Sequence, residues 1–441
     1  MGFGYEVPLR RPASTVVAGY RFGVMFKRKK EHQHSQTQSK RIENLSENKM
    51  EALQKDTVRK MKIATIEQFY PRRRMRLVKI TTDTGIVGWG ETTLEGKPKS
   101  TWAAVEELSD YFIGKDPLRI EHHWQHVYRS AFFRGGNILM SALSGIDQAL
   151  WDIAGKYHGL PAYQLLGGAV RDRIRVYAHW GIGSMTDEGK AAAKERLEFL
   201  QQKGGYKAFK SGPGGKWRGH EPPAVIDEFV ERAYLMREWV GPDVELAFDF
   251  HGKMTPALAI EICHELKGMR PMFVEEPIPQ ENVDALKLVS DHVPFPIATG
   301  ERLLTRWGFR EVFEKQAVAY LQPDTSHAGG ITELKKIANM AEVYYMHIAP
   351  HCAIGPVAFS ASLHLDAVVP NFLIQEQIDV GLGDGLFVED WQVTDGHIAL
   401  PTKPGLGFEI DEKEAEQILD TYPEELGGEF YYDTDGSVAD W

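Results

Sequence analysis

The sequence predicts an α/β protein: a (β/α)₈-type barrel preceded by a smaller α+β capping lobe, with a C-terminal tail that completes the lobe. Three observations predict it. Six polar residues, Asp249, Glu275, Glu301, Asp324, His351 and Glu376, recur at steps of 26, 26, 23, 27 and 25. Each follows or closes a short apolar run that reads as a buried strand: VELAFDF, PMFVEE, PIATGE, AVAYLQPD, YYMHIAPH and NFLIQE. Two further strands, residues 173–180 (RIRVYAHW) and 206–212 (YKAFKSG), bring the number to eight. One strand plus one helix per roughly 25 residues is the period of a barrel whose strand ends converge on one mouth.

The remaining elements follow in order. Residues 1–60 carry 13 Lys/Arg against 6 Asp/Glu, and the run KRKKEHQHSQTQSK lacks apolar periodicity, so this stretch reads as a disordered basic extension. Its resemblance to an organellar presequence is faint, and a cytoplasmic location is the expectation. Residues 61–172 form the capping lobe. The strands MKIATIEQFY and RMRLVKITTDTGIVGWGE turn at Asp83-Thr84-Gly85. A helix follows in which Leu139, Ala142, Ile146, Leu150 and Ile153 recur at three- to four-residue spacing, and Gly159 ends it. Residues 173–384 are assigned to the barrel. Residues 385–441, with the string LPTKPGLGFEIDEKEAEQ, are expected to pack back on the lobe.

Composition narrows the function. A chain of 441 residues is too long for one ordinary core. The net charge of −11 argues against a nucleic-acid partner, and no apolar stretch reaches the ~18–20 residues of a membrane span. Cys263 and Cys352 are too few for a disulfide framework, which suits a reducing compartment. An acidic enzyme with an acidic substrate needs a cation between them.

Three carboxylates on successive strand ends, Asp249, Glu275 and Glu301, repel one another unless a cation joins them, and oxygen-only ligands favour Mg²⁺ over zinc. Glu276 points to the opposite strand face. Alternation puts His251 on the face of Asp249. His351 lies two strands beyond the triad, with Asp324 one strand before it, so Asp324 can orient the imidazole and raise its basicity. Glu376 can donate a hydrogen bond to developing negative charge if its site keeps it protonated. This set suits removal of a proton α to a carboxylate, with the metal stabilising the enediolate. Two histidines leave two outcomes: return of the proton to the opposite face, or protonation of a departing β-hydroxyl.

The strings ALWDIAGK (149–156), DFHG (249–252), VEEP (274–277), TGER (299–302), QPDTSHAGGITE (322–333), APHC (349–352) and QEQ (375–377) resemble the enolase superfamily, mandelate racemase subgroup. The likeness covers Met61–Trp441 and is nearest to the subgroup's galactonate-dehydrating enzymes, whose C-terminal strings resemble KPGLGFEIDE and SVADW. It implies an enolase-type barrel, Mg²⁺ held by Asp249, Glu275 and Glu301, His351 as the base at C2, and Asp324 as its partner. It further implies His251 as the acid for the 3-hydroxyl and Glu376 as stabiliser of the intermediate. The implied reaction converts D-galactonate to 2-dehydro-3-deoxy-D-galactonate, in a homo-oligomer. Another aldonate, such as gluconate or xylonate, is the alternative, and racemisation or epimerisation ranks below both.

Racemases of this subgroup place Lys-x-Lys at the end of strand two. Here Lys210 holds the first position and Gly212 the second, which favours dehydration with His251 as the second acid/base group. Lys210 is also a candidate substrate contact. Specificity is expected from the lobe, through ETTLEGK (91–97) and FFRGGNILM (132–140), with Arg134 and Asn137 suited to polyol recognition. Trp217, Arg218 and His220 in the loop 211–223 are a further possible source of altered specificity.

Overall fold

The computed structural model describes residues 60–72, 74–377, 383, 385–389, 391–415 and 435–439. The basic extension lies outside them up to residue 59. The capping lobe begins with an antiparallel meander of β1 (Ile63–Arg72), β2 (Met75–Thr82) and β3 (Val87–Glu91). Helices α1 (Pro98–Phe112), α2 (Ile120–Ser130), α3 (Asn137–His158) and the short α4 (Ala162–Leu165) follow. Helix α3 ends where Gly159 adopts the left-handed conformation, as its sequence signals. Val78, Ile80, Val105, Phe112, Trp124, Leu143 and Ile146 form the core beneath the meander.

The barrel strands are β4 (Arg173–His179), β5 (Ala208–Ser211), β6 (Glu245–Asp249), β7 (Val274–Glu275), β8 (Ile297–Thr299), β9 (Tyr320–Leu321), β10 (His347–Ile348) and β11 (Gln375–Gln377). Neighbours from β4 to β10 pair in parallel. An Ile348–Phe372 bridge, with Leu373 N–H donating to Ile348 O at 2.8 Å, ties β10 to the segment entering β11. Strand β11 then pairs with β4, so the ring closes. The crossovers run through α5 (Asp187–Gly204), α6 (Pro223–Val240), α7 (Pro256–Glu265), α8 (Val283–His292), α9 (Thr305–Lys315), α10 (Gly330–Val343) and α11 (Pro356–Val368). Inside the barrel, Tyr177 and Phe273 fill the space left by Ala208, Ala247, Ala298 and Ala349.

After the barrel come β12 (Val393–Thr394), β13 (His397–Ala399) and α12 (Glu412–Ala415). Strand β13 pairs antiparallel with the first half of β4. The tail also reaches the lobe, where Leu406 N–H donates to Asp152 Oδ1 at 2.9 Å and Lys79 Nζ lies 2.9 Å from Glu412 Oε1. Among the described residues, no helix is long and apolar enough to cross a membrane.

Candidate active site

The strand ends deliver the expected polar residues to one place. Asp249 closes β6, Glu275 closes β7, Glu301 lies two residues past β8, and one carboxylate oxygen from each falls within 4.8 Å of the others. Their donor set is all oxygen. Glu275 is fully buried and its Oε1 has no hydrogen-bond partner, which is an orphaned acceptor at the centre of an anionic cluster. These features fit a hard divalent cation such as Mg²⁺.

Lys210, on β5, sits inside the cluster. Its Nζ is 2.8 Å from Glu275 Oε2, 2.7 Å from Glu376 Oε1 and 3.4 Å from Asp249 Oδ2. Burial would lower the ammonium's pKa, but Glu275 and Glu376 outweigh it and hold Lys210 well above its ordinary value. Burial would likewise raise Asp249, yet Lys210 and His251 hold it below the usual range. Glu275 goes the other way: burial and then Asp249 lift its carboxyl well above normal against Lys210. Burial, opposed by His351 and reinforced by Asp249 and Glu276, pushes Glu301 up to about 7. One lysine cannot neutralise three carboxylates.

His351 lies on the loop after β10. Its Nδ1 is 2.6 Å from Asp324 Oδ2 and its Nε2 is 3.1 Å from Glu301 Oε2. Burial would lower its pKa, but Glu376, Glu301 and Asp324 raise it well above the ordinary histidine value. Asp324 is itself fixed by the Ser326 N–H, which donates to Oδ1 at 2.5 Å. That arrangement commits Nδ1–H to Asp324 and leaves Nε2 facing the triad.

Two expectations change in detail. His251 does reach Asp249, with Nε2 at 3.0 Å from Oδ2, but strand alternation is not the cause. β6 ends at Asp249, and His251 has a φ of 51°, a left-handed turn in which its own N–H donates to Asp249 Oδ1 at 2.8 Å. Glu376 is a hydrogen-bond acceptor here. Burial would raise its carboxyl, yet Lys210 and His351 hold it well below the usual value. Its Oε2 accepts from Cys352 N–H at 2.9 Å, and its Oε1 faces both Lys210 and His179 Nε2. Arg134 is exposed, and Asn137 lines a separate cavity of about 900 Å³ within the lobe, beside Tyr111, His126 and Phe133.

Glu276 turns away from the triad, bonding Gly300 N–H at 3.1 Å and Arg302 Nε at 3.0 Å. In the loop 211–223, Trp217 is buried and donates to Gly214 O at 2.8 Å, so it packs the loop. His220 is exposed.

Sequence reasoning missed His179, and it placed Glu91 only at the start of a segment expected to touch substrate. His179 closes β4, and its Nε2 is 2.5 Å from Glu376 Oε1. The strand-end rule applied to RIRVYAHW would have found it. Glu91 closes β3 in the lobe and is fully buried, with Oε2 accepting from Ala358 N–H at 3.1 Å. Helix α11 has no side-chain cap of its own, so Glu91 caps it from the lobe. Gly355 makes this possible, since a Cβ there would sit 2.1 Å from Glu91 Oε1. Glu91 N–H also donates to Gln148 Oε1 at 2.9 Å, and Gln148 Nε2 donates to Thr325 O at 3.1 Å, next to Asp324. No local sequence signal joins partners 267 residues apart.

Burial, against the hydrogen bonds from Ala358 and Thr93, pushes Glu91 up to about 7 from its ordinary 4.5. Between those values the folded chain holds a proton that the unfolded chain releases. Stability from this group therefore falls as pH rises through that window, by about 1.4 kcal/mol per unit. Glu91→Gln is expected to flatten that slope in urea unfolding between about pH 5 and 8. An unchanged slope would exclude this carboxyl as the source.

Comparison with known proteins agrees with this geometry. Residues 50–167 match the family described as mandelate racemase/muconate lactonizing enzyme, N-terminal domain, and residues 192–414 match enolase C-terminal domain-like. D-galactonate dehydratase from Pectobacterium atrosepticum is 43% identical over 389 residues, covering 86% of this chain and 100% of the relative. D-galactonate dehydratase from Ralstonia pickettii is 42% identical with the same coverage. Among solved structures, a mandelate racemase/muconate lactonizing enzyme from Sulfitobacter sp. has a TM-score of 0.76 at 37% identity, covering 82% of this chain and 96% of that one. An enolase from Agrobacterium radiobacter, solved with sodium and L-malate bound, has a TM-score of 0.77 at 31% identity, covering 86% and 99%. With relatives of this identity and coverage, the chain is an enzyme of the hydro-lyase class. The chain belongs to the enolase superfamily, in its mandelate racemase/muconate lactonizing enzyme group.

Proposed function

We propose that this chain is a Mg²⁺-dependent sugar-acid dehydratase that converts D-galactonate to 2-dehydro-3-deoxy-D-galactonate. The observation that carries the reading is one mouth holding an all-oxygen triad, the His351–Asp324 dyad and His251 together. The full-length likeness to D-galactonate dehydratases supports the choice of substrate.

In this reading Asp249, Glu275 and Glu301 hold the cation. Bound there, it supplies Lewis-acid stabilisation of the charge that proton removal places on the substrate carboxylate. Lys210, fixed among the carboxylates, adds a buried positive charge beside the same group. His351 Nε2 takes the C2 proton while Asp324 holds Nδ1–H and supports the imidazolium. Asp324 matters here because a bound cation shares the charge of Glu301, the other carboxylate in contact with the ring. His251 gives a proton to the departing 3-hydroxyl, which leaves as water. The resulting enol tautomerises to the 2-keto-3-deoxy acid. Gly212 leaves strand two without a second base, since a Cβ there would lie 2.5 Å from Asp249 O.

The test is a panel of aldonates incubated with enzyme and Mg²⁺, assayed for 2-keto-3-deoxy acids with semicarbazide. Galactonate should give product, and EDTA should abolish it. Product from gluconate or xylonate alone would move the substrate assignment. C2 deuterium exchange without product would replace dehydration by epimerisation.

Metal affinity has an expected pH dependence. Glu301 must lose its proton to become a ligand, so affinity should weaken as pH falls below about 7, by about tenfold per unit for each proton displaced. Calorimetric titration in buffers of differing ionisation enthalpy would count the protons released. Release of none would contradict the carboxylate set.

A further inference from the structure

His179 is the strand-end residue to which the reading above gives no task. It closes β4 in register with Lys210, and its side chain is 34% exposed. It lines a cavity of about 370 Å³ together with Lys210, Ser211, Gly212, Asp249 and His251, so it shares the chamber of a triad ligand and of the residue assigned as acid. That volume lies within the roughly 300–1,000 Å³ of small-molecule sites.

The ring's hydrogen bonding follows from its contact with Glu376. Nε2 is 2.5 Å from Glu376 Oε1. That oxygen also meets Lys210 Nζ at 2.7 Å, and Glu376 Oε2 accepts from Cys352 N–H, so the carboxylate only accepts. Nε2 must then carry the hydrogen. In the neutral ring Nδ1 then presents a lone pair, and among the described residues no hydrogen-bond partner meets it. A lone pair repels a carboxylate and attracts a donor. In a polyhydroxylated acid the donors are the chain hydroxyls.

We infer that His179 is a specificity-determining residue whose Nδ1 accepts a hydrogen bond from a chain hydroxyl of the sugar acid, on the strand-one side of the mouth. The inference rests on the dehydratase reading. It moves part of hydroxyl recognition from the lobe to the barrel, where Ser211 and Gly212 line the same chamber.

The experiment uses the full chain with Mg²⁺ and measures kcat and KM on the preferred aldonate and on its 4-, 5- and 6-deoxy analogues. His179→Ala is expected to lose roughly tenfold in kcat/KM on the parent, mainly through KM, the usual worth of one neutral hydrogen bond. On the one analogue lacking the hydroxyl that His179 reads, wild type and variant should be equal. His179→Gln keeps a donor for Glu376 and an amide oxygen for the hydroxyl, and should recover part of the loss. If His179→Ala does not fold, His179→Asn carries the same comparison. An equal loss on the parent and on every analogue would mean that His179 acts only through Glu376 and would overturn the inference alone. A wild type that dehydrates no aldonate would overturn the functional reading and this inference with it.

Discussion

The His351→Asn variant is expected to lose C2 proton exchange and dehydration together, by roughly 10²–10⁴-fold in rate. Asparagine fills a similar space and can still meet Asp324, so the triad and the fold should stay in place while the base is gone. His251→Asn supplies the contrast. It removes the proton donor for the leaving hydroxyl but leaves His351 Nε2 beside the triad, so exchange of C2 hydrogen with deuterated solvent should persist while product formation falls. Solvent exchange followed by NMR, beside the semicarbazide assay, separates the two variants. Normal exchange in both, or its loss in both, would contradict the assigned roles.

The second large effect concerns Lys210. Its ammonium is 2% exposed and contacts Glu275, Glu376 and Asp249, so Lys210→Met leaves buried carboxylates without their cation. Breaking a buried ion cluster from one side costs about 3–5 kcal/mol. The carboxylates answer by taking up protons, so the loss should shrink as pH falls, and Mg²⁺ should restore part of the stability. Urea unfolding at two pH values, with and without Mg²⁺, checks all three. A variant as stable as wild type in the absence of Mg²⁺ would show that Lys210 does not balance the cluster.

The 25-residue period made the barrel and its six strand-end groups legible, because every β/α unit repeats one geometry and each strand is buried on both faces. What the period could not carry was conformation off the strand. His251 reaches Asp249 through a left-handed residue that no alternation rule anticipates. The ionisation of Glu376 was equally hidden, since it depends on Lys210, His179 and the adjacent His351 and Cys352 arriving from three other segments. Chemistry singles out Arg134 and Asn137, and it does not by itself place the loop that carries them. In the lobe, Asn137 faces a cavity of its own. His179 differs from these. Its position at the end of RIRVYAHW is readable from the strand pattern alone.

The cap that Glu91 places on α11 has a consequence for anyone recombining these proteins. Transplanting a lobe from a relative, to borrow its substrate preference, also transplants whatever acid stops the last long helix of the recipient barrel. A donor lobe without a carboxylate at that point, or a recipient barrel with a side chain in place of Gly355, would leave the start of α11 unsatisfied a few residues beyond His351. Such a chimaera should bind metal and still turn over poorly. Lobe and barrel are exchangeable only as a matched pair.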